Sequence, residues 1–216
     1  MTLAVDIFWS FRSPYSYLAT RRYRALTEEY DLTINLRPVY PLAIRDPQFF
    51  ERSHPGWLRY TFLDVYRLAQ FHGILIGPPR PDPIVQDVVT RKIADEQPYI
   101  FRLTRLGQAA ARRGKSLAFC DEVSRLIWGG VENWHDGDHL TGASQRAGLD
   151  LVELDTEAVN DAEALDAEIS ANQAALEAAG HWGVPTLVFD GEPFFGQDRI
   201  DMALWRMKQK GLVRRT

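Results

Sequence analysis

The chain has 216 residues and a formal net charge of −4, with 45% hydrophobic and 25% charged residues. Those fractions suit an ordered globular protein, one large domain or a compact domain with an insertion, and exclude wholesale disorder. With 25 Lys plus Arg against 29 Asp plus Glu, there is no basic surplus to neutralise phosphates, so no nucleic-acid partner is expected. The one cysteine, Cys120, excludes an internal disulfide, a multi-thiolate zinc cage and a Cys-x-x-Cys redox pair. Residues 1–20 lack a basic leader followed by a continuous apolar stretch, and no apolar run reaches membrane-spanning length. The expectation is a reduced, cytoplasmic protein with no membrane partner.

Residues 3–9 (Leu-Ala-Val-Asp-Ile-Phe-Trp) read as a mostly buried strand. Ser13 before Pro14 marks a helix start, Ser13 as N-cap and Pro14 at the first position, where no backbone N–H is missed. Apolar spacing from Leu18 to Tyr30 predicts a helix ending near Tyr30, and 32–40 alternate as a second strand, giving β-α-β with parallel strands. Residues 42 to about 180 show helical patterns only, at 57–72, 84–95, 98–113, 116–129, 138–147 and 157–179. In 57–72 the apolar stripe is Leu58, Phe62, Val65, Tyr66, Ala69 and Phe71. The proline-rich run 76–83 must be an extended loop. Residues 184–189 read as a strand, Asp190-Gly191 as a hairpin turn, 193–195 as its return, and 198–209 as an amphipathic helix. Strands at both ends of the chain are expected to join in one sheet.

Three places could carry chemistry. Ser13 stands at a helix N-terminus, where free N–H groups and the helix dipole favour an anion that its hydroxyl could also bond. The plain alternative is an N-cap alone. Val184-Pro185 could present the Val184 backbone to a peptide-like ligand as an added strand if the bond is cis; a proline at a strand start is otherwise unremarkable. Phe195-Gly196-Gln197-Asp198 form a turn before a helix that could hold an amino-acid head group, with Asp198 as N-cap the simpler reading. His135 and His139 stand at i, i+4 spacing, but Gly137 interrupts the helix a metal pair would need, so no metal site is expected. Cys120 reads as a buried structural thiol. Arg112, Arg113 and Lys115 read as a cationic helix end, and the acidic face of 157–179 as solvated surface.

The run Ser13-Pro-Tyr-Ser-Tyr-Leu-Ala19, with Gly183-Val-Pro-Thr186 and Gly196-Gln-Asp-Arg199, closely resembles the 2-hydroxychromene-2-carboxylate isomerases. These belong to the DsbA group and are related to kappa-class glutathione transferases. Tyr60, Asp64, Arg67, Ala69, Gly73, Ile74, Trp128 and Gly129 also fit, so the resemblance covers nearly the whole chain. It implies an α/β, thioredoxin-like fold with an all-helical insertion domain: residues 1–41 plus 182–216 form the thioredoxin-like domain and 42–181 the insertion. It implies glutathione as cofactor, Ser13 as the residue contacting its thiol, Val184 as the backbone partner of its cysteinyl part, and Phe195, Gly196, Gln197 and Asp198 as the receptor of its γ-glutamyl end.

The implied activity is cis–trans isomerisation of a small aromatic acid from aromatic-hydrocarbon catabolism, by reversible attack of a sulfur anion on a conjugated double bond. A homodimer is a further possible partner state. Arg12 departs from the family pattern and could meet a substrate carboxylate or the glycyl end of glutathione. Trp57 and Tyr60 could line the acceptor pocket. The alternatives are a kappa-type glutathione transferase and a non-catalytic peptide-binding module of the same fold. A disulfide oxidoreductase is disfavoured because no cysteine stands at position 13.

Overall fold

The computed structural model describes residues 2–215. Its order is β1 (Leu3–Trp9), α1 (Pro14–Glu29), β2 (Leu32–Pro38), α2 (Leu42–Arg45), α3 (Phe49–Arg52), α4 (Pro55–His72), α5 (Ile100–Arg112), α6 (Ser116–Trp128), α7 (His139–Arg146), α8 (Leu151–Asn160), α9 (Ala162–Ala178), β3 (Thr186–Phe189), β4 (Glu192–Phe195) and α10 (Ile200–Gln209), with a 3₁₀ turn at Gln197–Arg199. The strands do form one sheet, ordered β2-β1-β3-β4. β1 runs parallel to β2, with Leu3 opposite Leu32 and Trp9 opposite Pro38, and antiparallel to β3.

Because successive side chains of a strand point to opposite faces, β1 feeds two cores. Val5, Ile7 and Trp9 join the main cluster, which also contains Leu18 and Tyr23 of α1 and Phe119 and Ile127 of α6. Phe8 points the other way, against Leu176 of α9 and Val39. Helices therefore cover both faces, as strands flanked by helical crossovers require. The hairpin forms at Asp190-Gly191, with φ of 53° and 77° at the two turn residues, as a twist-matched two-residue turn needs.

The helical block departs from its sequence pattern in three places. Residues 84–95 form no helix. Asp82 Oδ1 accepts the Ile84 N–H, Asp87 Oδ1 accepts from Val89 and Thr90, Arg91 takes φ of 64°, and the Gln97 side chain bonds both polar groups of the Val85 backbone. Asx-type bonds of this kind compete with helix formation. The 157–179 stretch belongs to two helices, α8 and α9, separated at Asp161.

Its acidic side chains are not simply solvated. Asp166 takes a bidentate pair from Arg105 at 2.6 and 2.8 Å, Glu168 takes Arg112, and Glu157 takes both Arg112 and Arg113, so α5 is strapped to α8 and α9. The Arg112–Arg113 cluster is thus spent on carboxylates as well as on the helix end. In α4, only Val65 and Ala69 of the apolar stripe are buried; Phe62, Tyr66 and Phe71 are exposed.

Candidate functional site

The turn Ser10–Ser13 ends β1 and starts α1. Ser13 is the N-cap: its Oγ accepts the Ser16 N–H at 3.2 Å, and Pro14 takes the first helical position. The turn is braced from the insertion, since Trp128 Nε1 donates to the Phe11 carbonyl at 3.0 Å. Phe11 packs edge-on to Trp9 at 4.7 Å and to Phe119 at 6.4 Å. Gly107 lies against the same ring, where an added Cβ would come 3.0 Å from it.

The turn residue Ser13 faces the loop ahead of β3. Val184–Pro185 is cis, and Ser13 Oγ donates to the Val184 carbonyl at 3.3 Å. That is long for a hydroxyl donor, so an anion arriving between them can take the proton over at little cost. Among the described residues the Val184 N–H has no hydrogen-bond partner, which is uncommon for a half-buried backbone donor.

Beside it, Gly196 N–H donates to the Pro185 carbonyl at 2.8 Å, with Gly196 at φ of 98°; a Cβ there would meet Asp198 Oδ1 at 2.6 Å. Asp198 is exposed and pairs with Arg199; it does not cap α10, whose first turn follows the 3₁₀ segment. Arg22 of α1 pairs with Asp201 and reaches the Gln197 carbonyl at 3.5 Å, joining the middle of α1 to the start of α10. Ser13, Val184, Phe195, Gly196, Gln197 and Asp198 thus lie together where the start of α1 meets the loop before β3 and the turn after β4, and the space between these three segments is the candidate cleft.

Tyr60 and Trp57, both on α4, connect to these residues only through intermediaries. Tyr60 Oη lies 3.5 Å from Asp64, whose other oxygen takes the Tyr15 hydroxyl at 2.9 Å. Burial first, then that carboxylate, pushes the Tyr15 hydroxyl well above its ordinary range, so Tyr15 stays a neutral donor. Trp57 packs on Phe49, Phe49 on Trp182, Trp182 on His181 and His181 on Phe195, a run of rings ending at the cleft.

Arg12 is placed differently from the carboxylate-binding expectation. Its Nε donates to Asp82 Oδ1 at 2.7 Å, so its charge is met by the proline-rich loop. Arg12→Ala is expected to cost under ~1 kcal/mol of stability, as for a partly exposed pair; denaturant unfolding checks it. Arg45 of α2 has no carboxylate partner among the described residues. It holds the Tyr40 carbonyl at 2.7 Å and the Trp182 carbonyl at 3.0 Å, and its Nη2 is buried without a partner. Burial pulls its pKa down. Sequence patterning did not single out Arg45, His181 or Trp182; the His-Trp pair ahead of Gly-Val-Pro was the available signal.

Cys120 is fully buried in α6, and burial raises its thiol pKa, so it offers no exchangeable thiolate. No helix among the described residues is long and apolar enough to cross a membrane. A recess of about 450 Å³ lined by Arg113, Lys115, Gln145 and Glu153 shares no residue with the cleft.

The model of the DsbA-like thioredoxin domain matches residues 4–208. The chain belongs to the DsbA-like thioredoxin domain family. This DsbA-like chain is 26% identical over 208 residues to a 2-hydroxychromene-2-carboxylate isomerase of Pseudomonas putida, covering 93% of the chain and 92% of the relative. Among solved structures it resembles a 2-hydroxychromene-2-carboxylate isomerase, with TM-score 0.70, 22% identity and coverage of 96% and 95%. It also resembles the cytosolic disulfide reductase DsbM of Pseudomonas aeruginosa solved with GSH, with TM-score 0.60, 16% identity and coverage of 96% and 100%. At those identities the structures establish the fold: a DsbA-like α/β architecture with the helices between β2 and β3 inserted into it.

Proposed function

We propose that this DsbA-like protein is a glutathione-dependent cis–trans isomerase of small aromatic carboxylic acids of the 2-hydroxychromene-2-carboxylate type. The observation that carries the reading is a facing pair: the Ser13 hydroxyl at a helix N-terminus meets the Val184 carbonyl ahead of the cis-proline, and the N–H of that same Val184 has no partner among the described residues. Those groups fit an extended thiol peptide, whose main chain can add to the Val184 edge while its sulfur lies at the helix start. The near full-length similarity to an isomerase of that name supports the reaction class, and DsbM, a reductase of the same fold, was solved with GSH.

When bound, glutathione supplies a sulfur nucleophile that adds to a conjugated double bond and leaves again, so that the bond rotates in between. The protein's part is to keep that sulfur anionic. A free thiol titrates near ~8.5, leaving only a few per cent ionised at neutral pH. The α1 dipole and the Ser13 donor, at about 1 kcal/mol each, lower that value by roughly one to two units. Ser13 gives a hydrogen bond without offering a second thiol, so no mixed disulfide forms at this position. Gly196 and Asp198 stand where the γ-glutamyl ammonium would meet a carboxylate. The rings of Trp57, Trp182 and Phe195, each about half exposed, offer flat apolar area to an aromatic acceptor.

The test is incubation of the protein with glutathione and a hydroxychromene carboxylate, followed by ultraviolet absorbance. Spectral interconversion with no loss of glutathione is expected. Stoichiometric loss of glutathione into a conjugate would make the protein a kappa-type transferase instead. No turnover, with binding of extended peptides but not of glutathione, would leave a peptide-binding module.

A further inference from the structure

His181 is the titratable group nearest in sequence to the Val184 edge. Its N–H donates to the Leu176 carbonyl at the end of α9, at 3.3 Å. Its imidazole stacks on Phe195 with ring centroids 4.0 Å apart and planes 19° apart, and on Trp182 at 5.6 Å and 16°. Its Nδ1 accepts the Gly183 N–H at 2.8 Å. A ring nitrogen that accepts carries no proton, so this bond selects the neutral imidazole with its proton on Nε2. Burial, the larger influence on this imidazole, lowers its pKa.

Gly183 is held at its other end too: its carbonyl accepts the Thr186 hydroxyl at 2.7 Å. That carbonyl and the Val184 N–H belong to one planar peptide and point in opposite directions, so fixing one aims the other. There is also no slack for a side chain at 183, where a Cβ would lie 2.6 Å from Phe195 and 3.0 Å from His181. His181 and Thr186 thus hold the two peptides that flank Gly183, and the unpartnered Val184 N–H points where that bracing sets it.

We propose that His181 is a positioning residue: its neutral Nδ1 holds the Gly183 N–H and thereby presents Val184 to glutathione, and protonation of the imidazole lets that edge go. The inference rests on the glutathione reading of the cleft. The elements around His181 bring Glu177 from α9, Arg45 from α2, Glu51 and Arg52 from α3 and Glu192 from β4; none of these hydrogen-bonds to the imidazole. The sign follows: a folded-state pKa below the ordinary value means the bond is intact at neutral pH and lost as pH falls through His181's titration.

Two measurements test it. On labelled protein without ligand, imidazole ¹⁵N shifts should report the Nε2–H tautomer at neutral pH, and Gly183 amide exchange should quicken relative to its neighbours as His181 protonates. With S-methylglutathione, which has no titrating thiol, calorimetric affinity should weaken by ~2–10-fold over the same titration, the scale of one lost hydrogen bond. His181→Asn, whose Oδ1 can accept from Gly183 without titrating, should keep neutral affinity within about twofold and lose the acid weakening; His181→Phe, which stacks but cannot accept, should bind ~2–10-fold more weakly at every pH. Gly183 exchange indifferent to His181's charge, or acid weakening that persists in His181→Asn, overturns the proposal. If the wild type binds neither glutathione nor its S-methyl derivative, the reading of the cleft fails, and the exchange data still decide whether His181 holds Gly183.

Discussion

On the proposed glutathione reading, Ser13→Ala is expected to raise the thiol pKa of the bound tripeptide by roughly one unit and to lower kcat/KM for the acceptor near neutral pH by about fivefold. In the proposed mechanism the serine hydroxyl favours the anionic sulfur over the neutral thiol, so its removal would shift the acid limb of the pH–rate profile upward. Above about pH 9 the two enzymes should converge, because both then hold the ionised thiol. The helix start survives the change in part: Ser16 N–H loses its cap at 3.2 Å, at a stability cost of about 0.5–2 kcal/mol. A pH-independent loss of rate would point to collapse of the cleft, and an unchanged profile would remove Ser13 from the mechanism. Parallel pH–rate profiles of the two proteins, with denaturant unfolding as a control, separate these outcomes.

The second large effect is on stability. Phe119→Ala should cost about 3–5 kcal/mol, the usual price of deleting a fully buried aromatic ring. Phe119 closes an edge-on series with Phe11 and Trp9, and Phe11 lies two residues before Ser13. The ring of α6 therefore supports the turn that carries Ser13, although α6 lies among the helices between β2 and β3. A fall in Tm of roughly 6–20 °C is expected for a chain of this size. Guanidinium unfolding should show the midpoint falling with an unchanged slope. A loss under 1 kcal/mol would mean that the insertion does not share its core with β1.

Much of this arrangement is written locally in the chain. Ser13-Pro14 specifies its helix start by capping chemistry alone, and Asp190-Gly191 specifies its turn by tolerance of positive φ; both form where the sequence places them. The β-α-β opening and the single sheet follow from strand patterning and crossover handedness. What periodicity could not resolve is the insertion. In α4, Phe62, Tyr66 and Phe71 repeat as a buried stripe would, yet burial depends on what packs opposite, and only Val65 and Ala69 are covered. Residues 84–95 have helical spacing but are held by Asp82, Asp87 and Gln97 side chains, bonds invisible to a hydrophobic pattern.

The cleft was legible in the same uneven way. Ser13, Val184 and the 195–198 turn are marked by short motifs, and the fold brings them close together. Arg12, conspicuous as a lone cation beside Ser13, is neutralised by Asp82 from 70 residues away. Arg45 and His181 carry no motif, and their placement depends on carbonyls and rings brought together only by the fold.

The most direct measurement is a pH titration of ultraviolet thiolate absorbance for glutathione bound to the wild-type protein. A titration about one to two units below that of free glutathione is predicted, from the α1 terminus and the Ser13 hydroxyl acting together. A bound thiol that titrates at the free value would contradict the account.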